Sequence, residues 1–390
     1  MNHLQQSFTI KYNYNVFFTS SLFAPQNELL SGFLAAAASS GPLRKILFVI
    51  DQGVADHHAA LTGQIKKYFA QHHTTELVQN ILIIPGGELV KNDTRYFDQV
   101  LNAINNEGID RHSYIAAIGG GAVLDMVGYA ATVAHRGVKH IRIPTTVLSQ
   151  NDSGIGVKNS INYYGKKNFL GTFSTPAAVF NDDVFLTTLT DCDWRSGIAE
   201  AIKVALIKDP VFFEWMESNA ALLVKRDLPA MNYLVWKCAQ LHLEHIAGTD
   251  PFESGSSRPL DFGHWSAHKL EYLTDFKVKH GEAVAMGIAL DTVYSNLSGR
   301  LSFEERERVV HLLQQLGFEI THPLLQVDGA ESPILLGLQE FREHLGGELT
   351  IMLLTAIGRG EEVHEINTAI LKQAAKILQD AQNGLHQNND

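Results

Sequence analysis

Three histidines, His264, His268 and His280, lie close together in the stretch FGHWSAHKLEYLTDFKVKHGE. His264 and His268 are four residues apart, so on a helix they share a face. His280 stands beyond that helix and opens a second apolar run, HGEAVAMG. Neutral imidazoles are common zinc ligands, and catalytic zinc keeps three protein ligands and an open position. A third, acidic ligand would come from elsewhere, and the best candidate is Glu200 in SGIAEAIK. It sits on a largely apolar helix face, where a bare carboxylate is costly to bury. Lys203 follows three residues on. The two also fit an intrahelical ion pair worth a few tenths of a kcal/mol.

A second chemistry is written in the glycines. AAIGGGAVLDMVGYAA reads as a strand, a glycine turn at Gly119, Gly120 and Gly121, and a helix. Such a turn lets backbone approach a ligand, and the helix start offers free N–H groups to a phosphate. The spacing is not G-x-G-x-x-G, so a plain strand-to-helix turn fits as well. PGGELVK ends a neighbouring strand. Two glycine turns at strand ends suggest one nucleotide lying across the edge of a sheet. Asp51, closing KILFVID, could meet a ribose or cap a loop. The polar stretch TTVLSQNDSGIGVKNSINYYGKKNFLGTF adds Asp152, Lys158, Asn162, Lys166, Lys167 and Asn168. Long irregular segments are often functional, and lysines and amides beside a metal suit a phosphorylated sugar; a solvated loop is the plainer alternative.

These groups need elements to hold them. In the first half, KILFVID, NILIIPGGE, SYIAAIGGG and HIRIPTT are strand-like and alternate with helical patterns. That rhythm predicts an α/β domain with a parallel sheet, with the opening FTIKYNYNVFFTSSLF as a strand or hairpin laid on it. After Val184 the apolar spacing becomes helical and strand signals fade until GELTIMLLTAIG. The expected division is an α/β nucleotide-binding domain over 1–184 and a mostly helical metal- and substrate-binding domain over 185–390, packed around a cleft. The tail HEINTAILKQAAKILQD reads as an amphipathic helix.

Composition narrows the class. Of 390 residues 45% are hydrophobic and 19% charged, which suits large packed cores rather than disorder. A net charge of -11 argues against nucleic acid or an anionic membrane as partner. The two cysteines, Cys192 and Cys238, form no metal knuckle or redox pair, and no apolar run reaches membrane-spanning length. With no signal-peptide pattern at the start, the expectation is a cytoplasmic protein.

The segments GGGAVLDMVGYAA, HRGV, IPTTVLSQNDSGIGVKNSIN, GKKNFLGTF, SGIAEAIK, FGHWSAHKLE and HGEAVAMG occur in this order. Together they resemble the sugar phosphate cyclases, the family of 3-dehydroquinate synthase, from about IIPGGE to HGEAVAMG. The resemblance implies the fold of that family, related to iron-containing alcohol dehydrogenases and glycerol dehydrogenase. It implies NAD and a divalent metal, zinc or cobalt, held by Glu200, His264 and His280. His268 resembles an acid/base residue that contacts phosphate. The dinucleotide would lie over Asp51, Glu88, Lys91, Gly120, Gly121, Asp125, Thr145 and Thr146, with Lys167 and Thr188 completing its pocket. Asp152, Lys158, Asn168 and Lys203 match substrate positions. Arg136 matches an arginine lent across a homodimer interface to the neighbour's substrate phosphate. The implied reaction oxidises a ring hydroxyl, eliminates phosphate, returns the hydride and closes a carbocycle by an intramolecular aldol step.

The chain departs from 3-dehydroquinate synthase where that enzyme grips a carboxylate. In place of the family's GLRxxLNxGH stands GSSRPLDFGH, with Ser257 in the arginine slot, Asp261 in the asparagine slot and Arg258 one residue off. His242 or Leu243 falls where a family lysine belongs, and Glu343 where a later one does. Exchanging cations for an acid disfavours a carboxylate-bearing substrate by several kcal/mol, on the order of a thousandfold. Asp261 and the N-terminal YNVFFTSSLFAPQNELL resemble instead the 2-epi-5-epi-valiolone synthase branch, which cyclises sedoheptulose 7-phosphate to a cyclitol precursor. The alternatives are 3-dehydroquinate synthase with a rebuilt clamp at Arg258 or His242, a metal-dependent polyol dehydrogenase, and a non-catalytic nucleotide-binding relative.

Overall fold

The computed structural model of the chain describes residues 3–37, 43–248, 259–329, 331–344 and 349–388. Two compact units emerge, one of residues 1–145 with 154–184, the other of 146–153 with 185–390.

The first unit carries strands β1 (Asn15–Thr19), β2 (Lys45–Asp51), β3 (Glu76–Leu77), β4 (Leu82–Ile84), β5 (Tyr114–Gly119), β6 (Lys139–Pro144), β7 (Lys158–Tyr163), β8 (Lys166–Phe173) and β9 (Ala178–Asp182). Its helices are α1 (Leu29–Ala36), α2 (Gln52–His57), α3 (Leu61–Gln71), α4 (Leu89–Asn92), α5 (Thr94–Asn106) and α6 (Gly121–Val133). Seven strands form one sheet in the order β1-β9-β6-β5-β2-β3, with β4 also pairing β2, and the pairings are parallel. Residues 46–50 and 115–118 are buried throughout, as continuous apolar strands covered on both faces should be. The chain's opening supplies β1, an edge strand registered Asn15 to Ala178 on β9.

One strand breaks the apolar rule. Arg142 in β6 is wholly buried and donates to the carbonyls of Gly154 (3.2 Å), Gly156 (3.0 Å) and Lys158 (2.7 Å) and to Asn159 Oδ1 (2.7 Å). The guanidinium thereby pins the loop that leads to Lys158. The polar stretch after it, expected to be irregular, is in fact an antiparallel β7–β8 hairpin. Tyr163 pairs Lys166 across a two-residue turn, and both turn residues are left-handed, Tyr164 (φ +49°) and Gly165 (φ +70°). Left-handed pairs of this kind match the twist of a hairpin. The polar composition of this stretch hid the strand pattern.

The second unit is built on α7 (Asp191–Lys208), α8 (Pro210–Val224), α9 (Leu228–Ile246), α10 (His264–Leu273), α11 (His280–Leu297), α12 (Phe303–Gln315), α13 (Pro333–His344) and α14 (Thr368–Asn388), with a hairpin of β10 (Ile351–Ala356) and β11 (Arg359–Val363). The long apolar run starting at Trp194 splits at Asp209-Pro210. Asp209 accepts the Phe212 N–H at 3.0 Å and caps α8, while proline fills its first position. Helices α7 and α11 are buried on nearly every face, so they form the centre of this unit. Glycine contacts bring α7 and the start of α10 close to α11. A Cβ at Gly281 would run into the Ser196 backbone of α7, and one at Gly263 would lie 2.7 Å from the Ile288 nitrogen of α11. No helix among the described residues is long and apolar enough to cross a membrane.

Candidate active site

Three elements of the second unit converge on one point. Glu200 comes from the middle of α7, His264 is the first residue of α10 and His280 the first of α11. Glu200 is fully buried. Its Oε1 lies 3.4 Å from His264 Nε2 and 3.2 Å from His280 Nε2. One ligand atom from each residue falls within 4.8 Å of the other two.

The tautomers point the lone pairs inward. His264 Nδ1 lies 3.1 Å from the Phe262 carbonyl, which can only accept, so Nδ1 carries the proton and Nε2 is bare in the neutral ring. His280 Nδ1 donates to Glu271 Oε2 at 3.1 Å. Both contacts are of the kind that orients metal-bound imidazoles. Although the imidazoles are this near, neither Glu200 oxygen receives a hydrogen bond of proper geometry. Two ring nitrogens and a buried carboxylate that face a common point without bonding each other fit a cation, and a nitrogen–oxygen donor set with one acid fits zinc or cobalt.

The electrostatics agree. Burial pushes the Glu200 carboxyl up, but the Lys203 ammonium and His264 outweigh it and hold it well below the usual carboxylate range. Burial pulls His280 down, yet the Glu200 and Glu271 carboxylates beside it carry it up to about 9. A metal would therefore displace a proton from this ring. Lys203 is in contact with Glu200 Oε2 and almost fully buried. Burial disfavours its charge, but Glu200 and Asp152 overcome that and raise it, and Asp261 adds to their field.

Asp152 sits on a π-helical turn, Ser149–Ser153, tied to α7 by the Asn151 amide donating to the Gly197 carbonyl at 2.7 Å. Its Oδ1 is 2.7 Å from His242 Nδ1 on α9. Burial raises its carboxyl, but His242 and then Lys203 bring it below its ordinary value. His268 is exposed one turn beyond His264, its ring centroid 5.4 Å from that of His264 and 5.9 Å from that of His280. Asp261 ends a short 3-10 turn just before Phe262. Ser257 and Arg258 lie outside the described residues. Leu243 is partly buried on α9, and Glu343 is exposed on α13.

Within the first unit, the expected nucleotide residues gather at the carboxyl ends of the strands. Asp51 caps α2 through the Gly53 N–H (2.8 Å). Burial raises its carboxyl, while the N–H groups of Gly53, Val54 and Gly120 pull against that rise. Gly120 caps α6, and no side chain fills that cap. Gly121 is the first residue of the helix, and the Thr145 N–H bonds the Gly119 carbonyl at 3.1 Å. Lys91, almost wholly buried, donates to Asp125 (2.8 Å), Ser160 (3.2 Å) and Asn168 (2.5 Å). Glu88 accepts from the Asn162 amide at 3.1 Å and lies 4.0 Å from Lys167. The open helix start and glycine turn fit a diphosphate. Asn168, expected near substrate, is thus bonded to Lys91, expected near nucleotide. Lys158 begins β7 and is exposed. Arg136 is exposed after α6 with φ +62°. Thr146 and Thr188 belong to the second unit, where Thr146 exchanges hydrogen bonds with Ser149 and the Thr188 hydroxyl reaches the Phe185 carbonyl at 3.4 Å.

Sequence reasoning passed over Glu271, Asp291 and Arg142. Glu271 had a signal, since it follows His264 at i+7 and His268 at i+3 on one helix face. Asp291 accepts the Gly263 N–H (3.1 Å) and the Trp265 indole N–H (2.9 Å), and burial pushes its carboxyl up to about 7 against both bonds.

Known proteins resemble this chain in sequence and in fold. Residues 81–196 match the 3-dehydroquinate synthase N-terminal family and residues 197–335 its C-terminal counterpart. A 3-dehydroquinate synthase from Shewanella frigidimarina (strain NCIMB 400) is 34% identical over 305 residues, covering 76% of this chain and 82% of that protein. The structure of 2-epi-5-epi-valiolone synthase from Streptomyces hygroscopicus subsp. jinggangensis 5008, with NAD+ and Zn2+ bound, superposes with a TM-score of 0.86. Its identity is 28%, over 97% of this chain and 100% of that one. A 2-deoxy-scyllo-inosose synthase complexed with carbaglucose-6-phosphate, NAD+ and Co2+ shares the fold, with a TM-score of 0.71, 21% identity and coverage of 92% and 95%.

Proposed function

The chain belongs to the 3-dehydroquinate synthase family of sugar phosphate cyclases, and we propose that within it this protein cyclises a heptulose 7-phosphate lacking a carboxylate, sedoheptulose 7-phosphate, to a C7 carbocycle. The observation that carries this reading is the charge around Lys203. Three carboxylates, Glu200, Asp152 and Asp261, bear on one buried ammonium. A divalent cation would bring that set to balance. A substrate carboxylate added to it would meet Asp261 instead of a cation, at a cost of several kcal/mol. By the family resemblance Asp261 stands where 3-dehydroquinate synthase has an asparagine that serves the carboxylate. His242, in the region of the missing lysine, faces Asp152.

The residues divide the work. Glu200, His264 and His280 hold the metal, with Glu271 orienting His280. Asp51, Glu88, Lys91, Gly120, Gly121, Asp125, Thr145, Thr146, Lys167 and Thr188 hold NAD. When bound, the metal supplies Lewis acidity at a ring oxygen and NAD+ accepts and later returns a hydride, so cofactor is recycled. Lys203, held protonated by its neighbours, can donate hydrogen bonds to the substrate without losing its charge. Asp152, kept ionised, can accept from sugar hydroxyls. His268, exposed beside the triad, can bind the phosphate and move a proton. Lys158, Asn168 and Arg136 complete the substrate contacts, Arg136 from the second copy of a homodimer. We also propose a cytoplasmic protein with small molecules as its partners.

A second reading has its own support. The curated relative at 34% identity is a 3-dehydroquinate synthase, and that activity would need Arg258 or His242 to rebuild the carboxylate clamp. The test is phosphate release from sedoheptulose 7-phosphate by zinc- and NAD+-loaded protein, with absorbance at the NADH band followed in parallel. Phosphate without net NADH supports a cyclase acting on this sugar. Net NADH from polyols without phosphate would assign a dehydrogenase instead.

A further inference from the structure

We propose that Asp291 is a positioning residue for the metal ligand His264, acting through the Phe262–Gly263 peptide group. The inference rests on the reading of Glu200, His264 and His280 as the metal triad. Asp291 lies on α11, 2% exposed, and does not touch the site. Its Oδ2 accepts the Gly263 N–H at 3.1 Å, and its Oδ1 accepts the Trp265 indole N–H at 2.9 Å. The Gly263 N–H and the Phe262 carbonyl are the two ends of one planar peptide unit. That carbonyl accepts the His264 Nδ1 proton at 3.1 Å. A continuous chain therefore runs from the Asp291 carboxyl through a peptide and an imidazole to the bare Nε2 that faces Glu200.

Each link strengthens the next. Drawing the Gly263 N–H toward a carboxylate places more negative charge on the Phe262 oxygen. The oxygen then holds Nδ1–H more firmly, which fixes the tautomer and makes Nε2 a better donor to a cation. The same bond fixes position. Gly263 is left-handed (φ +75°), and a Cβ there would come within 3.0 Å of the Gly287 carbonyl carbon. The turn before His264 is thus pressed onto the helix whose first residue is His280. Glu271 supports His280 directly, and Asp291 supports His264 from one peptide away.

The test uses the full chain at about pH 8. Zinc affinity is measured by competition with a chromophoric chelator, and the Co2+ form by its visible absorption. Asp291→Asn leaves one carbonyl oxygen for two donors. It should weaken zinc binding about 10- to 100-fold and shift the cobalt bands. Trp265→Phe removes only the indole bond and should stay within about threefold of wild type in affinity, whatever it does to melting. His264→Ala tests the premise and should abolish tight binding. Wild-type affinity and spectrum in Asp291→Asn, with His264→Ala impaired, overturns the inference and leaves the triad standing. Equal losses in Asp291→Asn and Trp265→Phe also overturn it, because that pattern is general packing. Wild-type affinity in His264→Ala removes the triad and the inference with it.

Discussion

Replacing Glu200 by glutamine keeps the volume of the side chain and removes its charge. In the metal-free protein this leaves the Lys203 ammonium buried against a neutral amide. Removing one partner of a buried pair costs about 3–5 kcal/mol. The low end applies, since the glutamine oxygen still faces Lys203 and both Asp152 and Asp261 still favour its charge. For a unit of this size about 3 kcal/mol lowers Tm by roughly 6–12 °C. The pH dependence follows from the signs. Glu200 is held below its ordinary 4.5, so its contribution is present above that value and lost as pH falls toward its folded value. Lys203 is raised above its ordinary 10.5, so its contribution is complete below that value and lost only above it. The gap in Tm between wild type and Glu200→Gln, read by calorimetry after chelation, should therefore be widest at about pH 5.5–6.5, shrink as pH rises through about 9, where His280 sheds the proton that Glu200 helps to hold, and narrow in acid. Zinc should restore far less of the loss than it adds to wild type. A gap under about 2 °C at neutral pH would mean that the buried Glu200–Lys203 pair contributes little to stability.

Gly281→Ala forces a methyl into the Ser196 backbone, and separating α7 from α11 should cost about 1–3 kcal/mol and weaken zinc binding, seen by melting and chelator competition. Lys91→Met strips Asp125, Ser160 and Asn168 of a shared donor and should weaken NAD+ binding about tenfold or more in a calorimetric titration. Asp261→Asn removes one of three carboxylates around Lys203 and should raise kcat/KM for a carboxylate-bearing heptulosonate phosphate about tenfold relative to sedoheptulose 7-phosphate, measured by phosphate release.

The parts of the site that sequence made legible share a property. Histidines at 264, 268 and 280 and an acid in an apolar helix at 200 are residue types with few reasons to stand where they do. Parallel strands such as Lys45–Asp51 were legible because burial on both faces leaves an unbroken apolar run. What escaped depends on pairing across long stretches of chain. Asp291 looks like one acid in an apolar helix until the fold brings Gly263 and Trp265 to it. Arg142 looks like an error in a strand until four acceptors from residues 154–159 surround it. The hairpin at 158–173 was masked by polar side chains, although Tyr164-Gly165 marked its turn. Asp152 was visible as a polar residue, but its His242 partner lies on a helix that nothing local connects to it.

The proposed substrate is a heptulose phosphate without a carboxylate. The most direct measurement gives zinc- and NAD+-loaded protein sedoheptulose 7-phosphate and 3-deoxy-D-arabino-heptulosonate 7-phosphate in parallel and compares kcat/KM for phosphate release. The proposed site should prefer sedoheptulose 7-phosphate by about a thousandfold, with no net NADH. Preference for the heptulosonate would contradict it and would place a working carboxylate clamp in this chain.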